Sequence, residues 1–113
     1  PCHFDTTRDK HLSFGFCAAG TPRAYYTMDP LGNLRPCNHS PRILGNIADT
    51  SFWTMLDSPA MQDFVAGRPA PCAGCRHELL CQGACKAAAE ALTGCPSTLD
   101  PFLLCHPPTP VPT

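Results

Sequence analysis

The sequence predicts a small, irregular α+β domain: a short β-hairpin followed by short helices, held by staples more than by a large core. Three observations predict it. The chain has 113 residues with 14 prolines and nine cysteines, and so small and interrupted a chain builds only a modest apolar core, which covalent or metal staples usually supplement. One stretch carries turn chemistry between strand-forming residues. The segments after it carry helix caps and an alanine-rich run. Charged residues make up 15%, below the roughly 25% of an ordinary domain.

Residues 1–16 have no clear period and read as a connecting segment. The run from Arg23 to Met28 holds strand formers, and Asp29 to Asn33 is turn chemistry, with Pro30 presetting φ and Gly32 free to take a positive φ. A hairpin pairing Ala24–Met28 with Leu34–Cys37 follows, and Pro36 implies an edge position or the end of pairing. Leu44 to Ile47 is a loop or short extended piece. Asp49, Thr50 or Ser51 caps a short helix bearing Phe52, Trp53, Met55 and Leu56. Ser58 and Pro59 open a second, which stops at Gly67. The strongest helix signal is the alanine-rich stretch up to Gly94, with Gly83 at its frayed start. The tail, residues 106–113, is Pro-rich and expected to be extended and disordered.

A net charge of −1 argues against a nucleic-acid face or a membrane-surface preference. The longest apolar runs fall far short of the ~20 residues a membrane span needs. The chain opens on Pro1 with no basic-then-apolar leader, so it is expected to be a piece of a longer protein. A cytoplasmic location is expected, because thiols stay reduced there and cysteines at this density then serve metals.

The densest chemistry lies between Cys72 and Cys85, spaced C-x2-C-x5-C-x3-C. Thiolates are soft anionic donors, and a C-x2-C pair aims two sulfurs at one centre. Cys81 and Cys85 are four apart, so at a helix start they share a face. One tetrahedral zinc on Cys72, Cys75, Cys81 and Cys85 is a possible reading, although the pairs are closer together than zinc ribbons and fingers place them. A disulfide framework would leave one of nine cysteines over. Iron–sulfur clusters suit clustered, irregular thiolates best, since they collect ligands from several segments.

The wider pattern runs Cys17-x14-Gly32-x4-Cys37, then the four-cysteine stretch, then Cys105. With "DPLGNLRPCNHS", "LGNIADTSFWTML" and "CQGAC" between the cysteines, this resembles the SPASM domain, the C-terminal extension of many radical S-adenosylmethionine enzymes, over residues 17–105. The resemblance implies an α+β module stapled by two iron–sulfur clusters, usually [4Fe–4S]. The near cluster would take Cys17, Cys37 and Cys85, and the distal one Cys72, Cys75, Cys81 and Cys105. It further implies an auxiliary role in a peptide- or protein-modifying enzyme, serving electron transfer, substrate positioning or both. The partners implied are a peptide or protein substrate and an upstream radical SAM barrel or a reductant protein. S-adenosylmethionine and a third cluster would belong only to such an upstream domain. A zinc-binding structural or interaction module without redox function is the alternative, and a secreted disulfide scaffold ranks last.

Some family members place a fourth near-cluster ligand six residues after the first cysteine. Arg23 stands there, so the near cluster has an open iron, or Cys2 or Cys95 closes it. Anaerobic sulfatase maturases place a catalytic aspartate directly after the second cysteine. Asn38 stands there and cannot act as that base. The C-x3-C-x2-C motif that cleaves S-adenosylmethionine is missing, because Ala88 follows Cys81-x3-Cys85 where its last cysteine would be. Arg35, Arg76 and Lys86 flank presumed ligands and are either tuners of cluster potential or solvated side chains. His77 is the best histidine for a zinc site; it and His3, His11, His39 and His106 read more simply as surface or hydrogen-bonded groups. Tyr25 and Tyr26 face opposite ways. Gly20 and Gly83 would let backbone approach a cluster, or serve ordinary turns.

Overall fold

A computed structural model of the chain describes residues 17–105 together with Arg8, Lys10 and His11; of Leu104 and Cys105 it describes the backbone alone. Most of the expected connecting segment, the tail 106–113, Cys2, His3 and His106 lie outside the described residues.

The fold is α+β. Its sheet holds β1 (Thr27–Met28), β2 (Asn33–Arg35) and β3 (Gly45–Asn46), all antiparallel and in the order β1-β2-β3. Thr27 pairs Arg35 and Met28 pairs Leu34, so the hairpin forms in the expected register but shorter. Asp29 sets its turn. One carboxylate oxygen accepts the N–H of Leu31 (2.9 Å) and of Asn33 (3.0 Å), and the other accepts the Asn33 side-chain amide (3.0 Å). These donors, with Arg35 beside them, hold the Asp29 carboxyl below its ordinary range. Gly32 completes the turn at φ +87°. The extended piece at Leu44–Ile47 becomes β3, which makes β2 the central strand. Pro36 therefore marks the end of pairing: it follows the last residue of β2, where no ladder N–H is needed.

Five helices follow: α1 (Phe52–Leu56), α2 (Pro59–Ala66), α3 (Glu78–Cys81), α4 (Lys86–Thr93) and α5 (Pro101–Cys105). Ser51 Oγ caps α1 by accepting the Thr54 N–H, and Ser58 Oγ caps α2 through Met61. Gly94, at φ +79°, ends α4 as expected. Ala19, Met61, Phe64 and Ala87 form the core, with Cys17, Tyr26, Cys37, Leu44, Val65 and Cys85 packed against it. Met55 is buried, Phe52 stacks edge-on to Tyr26, and Trp53 is exposed at the surface. No helix among the described residues is long and apolar enough to cross a membrane.

One expectation changes. Cys81 and Cys85 do not share a helix face. Cys81 ends α3, Cys85 caps α4, and between them Gln82, Gly83 and Ala84 all take positive φ (54°, 86° and 65°). Gly83 thus lies before α4, not in its frayed start. A Cβ there would stand 2.3 Å from Pro69 Cδ, and one at Gly20 would stand 2.7 Å from a Val65 methyl. Both glycines make room for neighbouring side chains of the protein itself.

Candidate metal centre

Three separate pieces of chain converge on one cavity of about 390 Å³. Cys17 comes from the approach to the hairpin and Cys37 from just beyond its second strand. Cys81 and Cys85 come from the two ends of the left-handed turn, and all four line the cavity wall. Tyr25, Asn38 and His39 line it too, and all three are exposed, so they stand where the cavity meets solvent. Its inner side is the core. Cys17, Cys37 and Cys85 pack on the Ala19–Met61–Phe64–Ala87 cluster.

Burial pushes the Cys37 thiol up, and the sulfurs of Cys17 and Cys85 push it the same way; N–H groups of His39 and Ser40 oppose both. All three sulfurs belong to residues on the wall of the one cavity. Cys85 Sγ accepts the Ala88 N–H at 3.4 Å, which makes the cysteine itself the N-cap of α4. Cys75 Sγ likewise accepts the His77 N–H at 3.4 Å. Backbone amides thus serve the sulfurs directly. The cationic side chains fare differently. Arg35 is spent on Asp29 and on the carbonyls of Ser40 and Pro41, and Arg76 on His77 Nε2. Lys86 is no solvated side chain. It is 2% exposed and has no side-chain hydrogen bond or ion pair among the described residues. Burial and the Arg68 charge lower its pKa, while Cys17 acts the other way.

Cys72 and Cys75 sit apart from that cavity. Cys72 ends a short 3-10 turn, Ala70–Cys72, and Cys75 is exposed on the following loop. Glu78 braces this loop by accepting the Gly74 N–H at 2.9 Å. Cys95 is exposed beyond α4 and does not line the cavity, and Arg23 is exposed as well. The side chain of Cys105 lies outside the description. Cys17, Cys37, Cys75, Cys81, Cys85 and Cys95 are free thiols. Among the described residues no three His, Cys, Asp or Glu side chains gather tightly enough for a single metal ion.

The family model of the iron–sulfur cluster-binding domain SPASM matches residues 17–77, more than half of the chain. The chain belongs to the SPASM family. No curated protein and no solved structure matches it. The SPASM match takes in Cys17, Gly32, Cys37, Cys72 and Cys75; Cys81, Cys85 and Cys105 lie past its end. The residues of this SPASM chain suit the group that the family binds. Four thiols line a cavity wider than one ion needs, backbone N–H groups serve the sulfurs, and an apolar wall lies behind them.

Two residues that brace the centre went unnoticed in the sequence. Asp100 accepts the Cys85 N–H (2.9 Å) with one carboxylate oxygen and the Phe102 N–H (2.8 Å) with the other, tying α5 to the Cys85 turn. The signal was available: Asp100-Pro101 repeats the cap-then-proline pattern of Ser58-Pro59. Arg42 joins the segment after Cys37 to α2 and α4. It bonds Glu90 through Nε at 2.8 Å and through Nη2, and bonds Asp63 (2.8 Å) and the Ala60 carbonyl (2.6 Å) through Nη1. No local pattern around Arg42 announces partners so distant in sequence.

Proposed function

We propose that this SPASM chain is the auxiliary iron–sulfur domain of a radical S-adenosylmethionine enzyme that modifies a peptide or protein, and that it holds two [4Fe–4S] clusters. The observation that carries this reading is the convergence of Cys17, Cys37 and Cys85 from separate segments on one cavity. These three belong to the near cluster; Cys72, Cys75 and Cys105 belong to the distal one, with which the family pattern also groups Cys81.

Clusters of this type, when bound, supply one-electron chemistry at a potential set by their surroundings. The protein's own part is positional. Ala18, Ala19 and Ala84 line the cavity between the cysteines, Met61, Phe64 and Ala87 form the core on which Cys17, Cys37 and Cys85 pack, and the N–H groups of His39, Ser40 and Ala88 serve sulfurs that would carry negative charge. Tyr25 and His39 flank the open side, where a peptide has access. Asn38 is there as well and offers an amide, not a carboxylate base.

Anaerobic reconstitution tests the reading. A brown chain with broad absorbance near ~400 nm and about eight irons and eight sulfides is expected. Cys72→Ala should remove the distal cluster and leave the near one partly loaded. Metal analysis with zinc and no iron would overturn the reading in favour of a structural zinc module. Loss of neither cluster in Cys72→Ala would refute the ligand sets.

A further inference from the structure

We propose that Lys86 is the buried counter-cation of the near cluster, placed next to Cys85 to balance the negative charge that Cys17, Cys37 and Cys85 bring to their cavity. This rests on the iron–sulfur reading above, keeps its ligand sets, and gives a role to a buried charge which that reading leaves unused.

What surrounds this position in the protein itself works against a cation. Lys86 is 2% exposed, and among the described residues its side chain has no hydrogen bond and no carboxylate within ion-pair reach. A buried charge without a partner is among the costliest groups a fold can carry. Lys86 is also the first residue of α4, where the helix dipole and the free N–H groups favour negative charge and oppose positive charge. Arg68 adds a second positive charge nearby. It is half-buried, and its Nη1 bonds the carbonyls of Val65 (3.0 Å) and Gly67 (2.7 Å), which leave its charge without a carboxylate among the described residues.

The ordinary explanation for such a lysine is an ion pair along its own helix. Glu90 lies one turn on, is buried too, and carries the one carboxylate in α4. Yet Glu90 gives one oxygen to Arg42 while the other has no partner, so Lys86 does not reach it. The group that favours the Lys86 charge is Cys17 instead. Cys17 and Cys85 pack on the core cluster to which Ala87, the next residue, belongs. In the chain Lys86 thus sits between one ligand and the core on which two ligands rest. A bound cluster brings net negative charge to these sulfurs, and reduction adds one more. The lysine that burdens the empty chain then answers a charge of opposite sign, and Lys86 favours the reduced form over the oxidised one.

The test is a redox titration of the full, anaerobically reconstituted chain followed by electron paramagnetic resonance. Cys37→Ser marks the near cluster as the signal it alters or removes. Lys86→Met, which keeps a long side chain without its charge, should lower the midpoint of that signal by about 59 mV or more, a tenfold loss for the reduced form in a one-electron equilibrium. The distal midpoint should stay in place, and Lys86→Arg should return the near one toward its original value. A near midpoint that Lys86→Met leaves unmoved overturns the proposal. So does an arginine chain as low as the methionine one, since that makes packing, not charge, the cause. Should the methionine chain load no near cluster, iron content decides: Lys86→Arg must restore loading, and an arginine chain equally empty overturns the assignment. An unaltered chain that binds no iron fails the iron–sulfur reading itself, a separate result from a loaded chain whose potentials ignore position 86.

Discussion

Removing Arg42 should cost this small domain a large part of its stability. The guanidinium is 16% exposed and Glu90 9% exposed, so the pair they form lies mostly out of water. The other Glu90 oxygen, Oε2, is buried with no partner among the described residues. Arg42 is therefore the group that neutralises Glu90. Asp63 matters less: its side chain is 66% exposed, and an exposed pair contributes at most ~1 kcal/mol. Arg42→Ala strands a buried carboxylate, and breaking a buried pair from one side costs about 3–5 kcal/mol. Against the 5–15 kcal/mol (roughly) that holds a typical domain together, that is severe. The loss also loosens the segment after Cys37 from the helix after Cys85, so iron should be released faster. Urea titration followed by far-UV circular dichroism measures the stability, and iron transfer to a chelator measures the release. Adding Glu90→Gln should recover about 1.5 kcal/mol or more, because a buried amide costs less than a buried unpaired carboxylate. A loss below ~1 kcal/mol for Arg42→Ala, the size of a surface pair, would refute the reasoning.

Gly83→Ala should destabilise by about 2 kcal/mol or more in the same titration, because the new methyl meets Pro69 at 2.3 Å and the residue must hold a positive φ. Lys86→Met should lower the reduction potential of the near cluster in a redox titration followed by electron paramagnetic resonance, since reduction adds negative charge beside a lost cation; Lys86→Arg should restore it. The Asp29 carboxyl is held below its ordinary 3.8 in the fold. Its contribution to the hairpin is therefore present above that value and lost as pH falls through the depressed one. Amide exchange at Leu31 and Asn33 should rise below about pH 3.8, where protonation begins to cost the turn its acceptor, and Asp29→Asn should abolish that rise.

The hairpin, the caps of α1 and α2 and the stop of α4 were legible because each depends on neighbours in sequence: Asp29 with Asn33, Ser51 with Thr54, Ser58 with Pro59, Gly94 after an alanine run. The spacing of the cysteines was legible for the same reason. The break between Cys81 and Cys85 was not. "CQGAC" contains one glycine, which a helix start tolerates, and neither Gln82 nor Ala84 beside it is a residue type that signals a left-handed backbone. The third strand was half-legible: Gly45 and Asn46 carry little strand propensity, and they pair because the Leu44 and Ile47 N–H groups reach the carbonyls of Leu34 and Gly32. Lys86 reads as a solvated lysine at a helix start. Its burial follows from the packing of α4, which no local feature of the sequence expresses.

These misses share a cause that bears on function. A cluster needs sulfurs from several segments at once, and each thiol on the cavity wall sits where regular structure ends: Cys17 before the hairpin, Cys37 after it, Cys81 at the close of α3 and Cys85 at the opening of α4. Loops are free to aim side chains but do not hold themselves in place. The holding is done by groups that reach from one element to another. Arg42 ties the chain beyond Cys37 to α2 and α4, Asp100 ties α5 to the Cys85 N–H, and Glu78 ties the Cys72–Cys75 loop to α3. Each is a charged side chain in a chain with few of them, and each bonds chain beside a cysteine or locks the element that carries one. Three of the domain's charged side chains thus fix chain around its thiols, and the apolar core supports the cavity from behind. Positions 42 and 100 should therefore be as sensitive for iron retention as residues that never touch a metal can be.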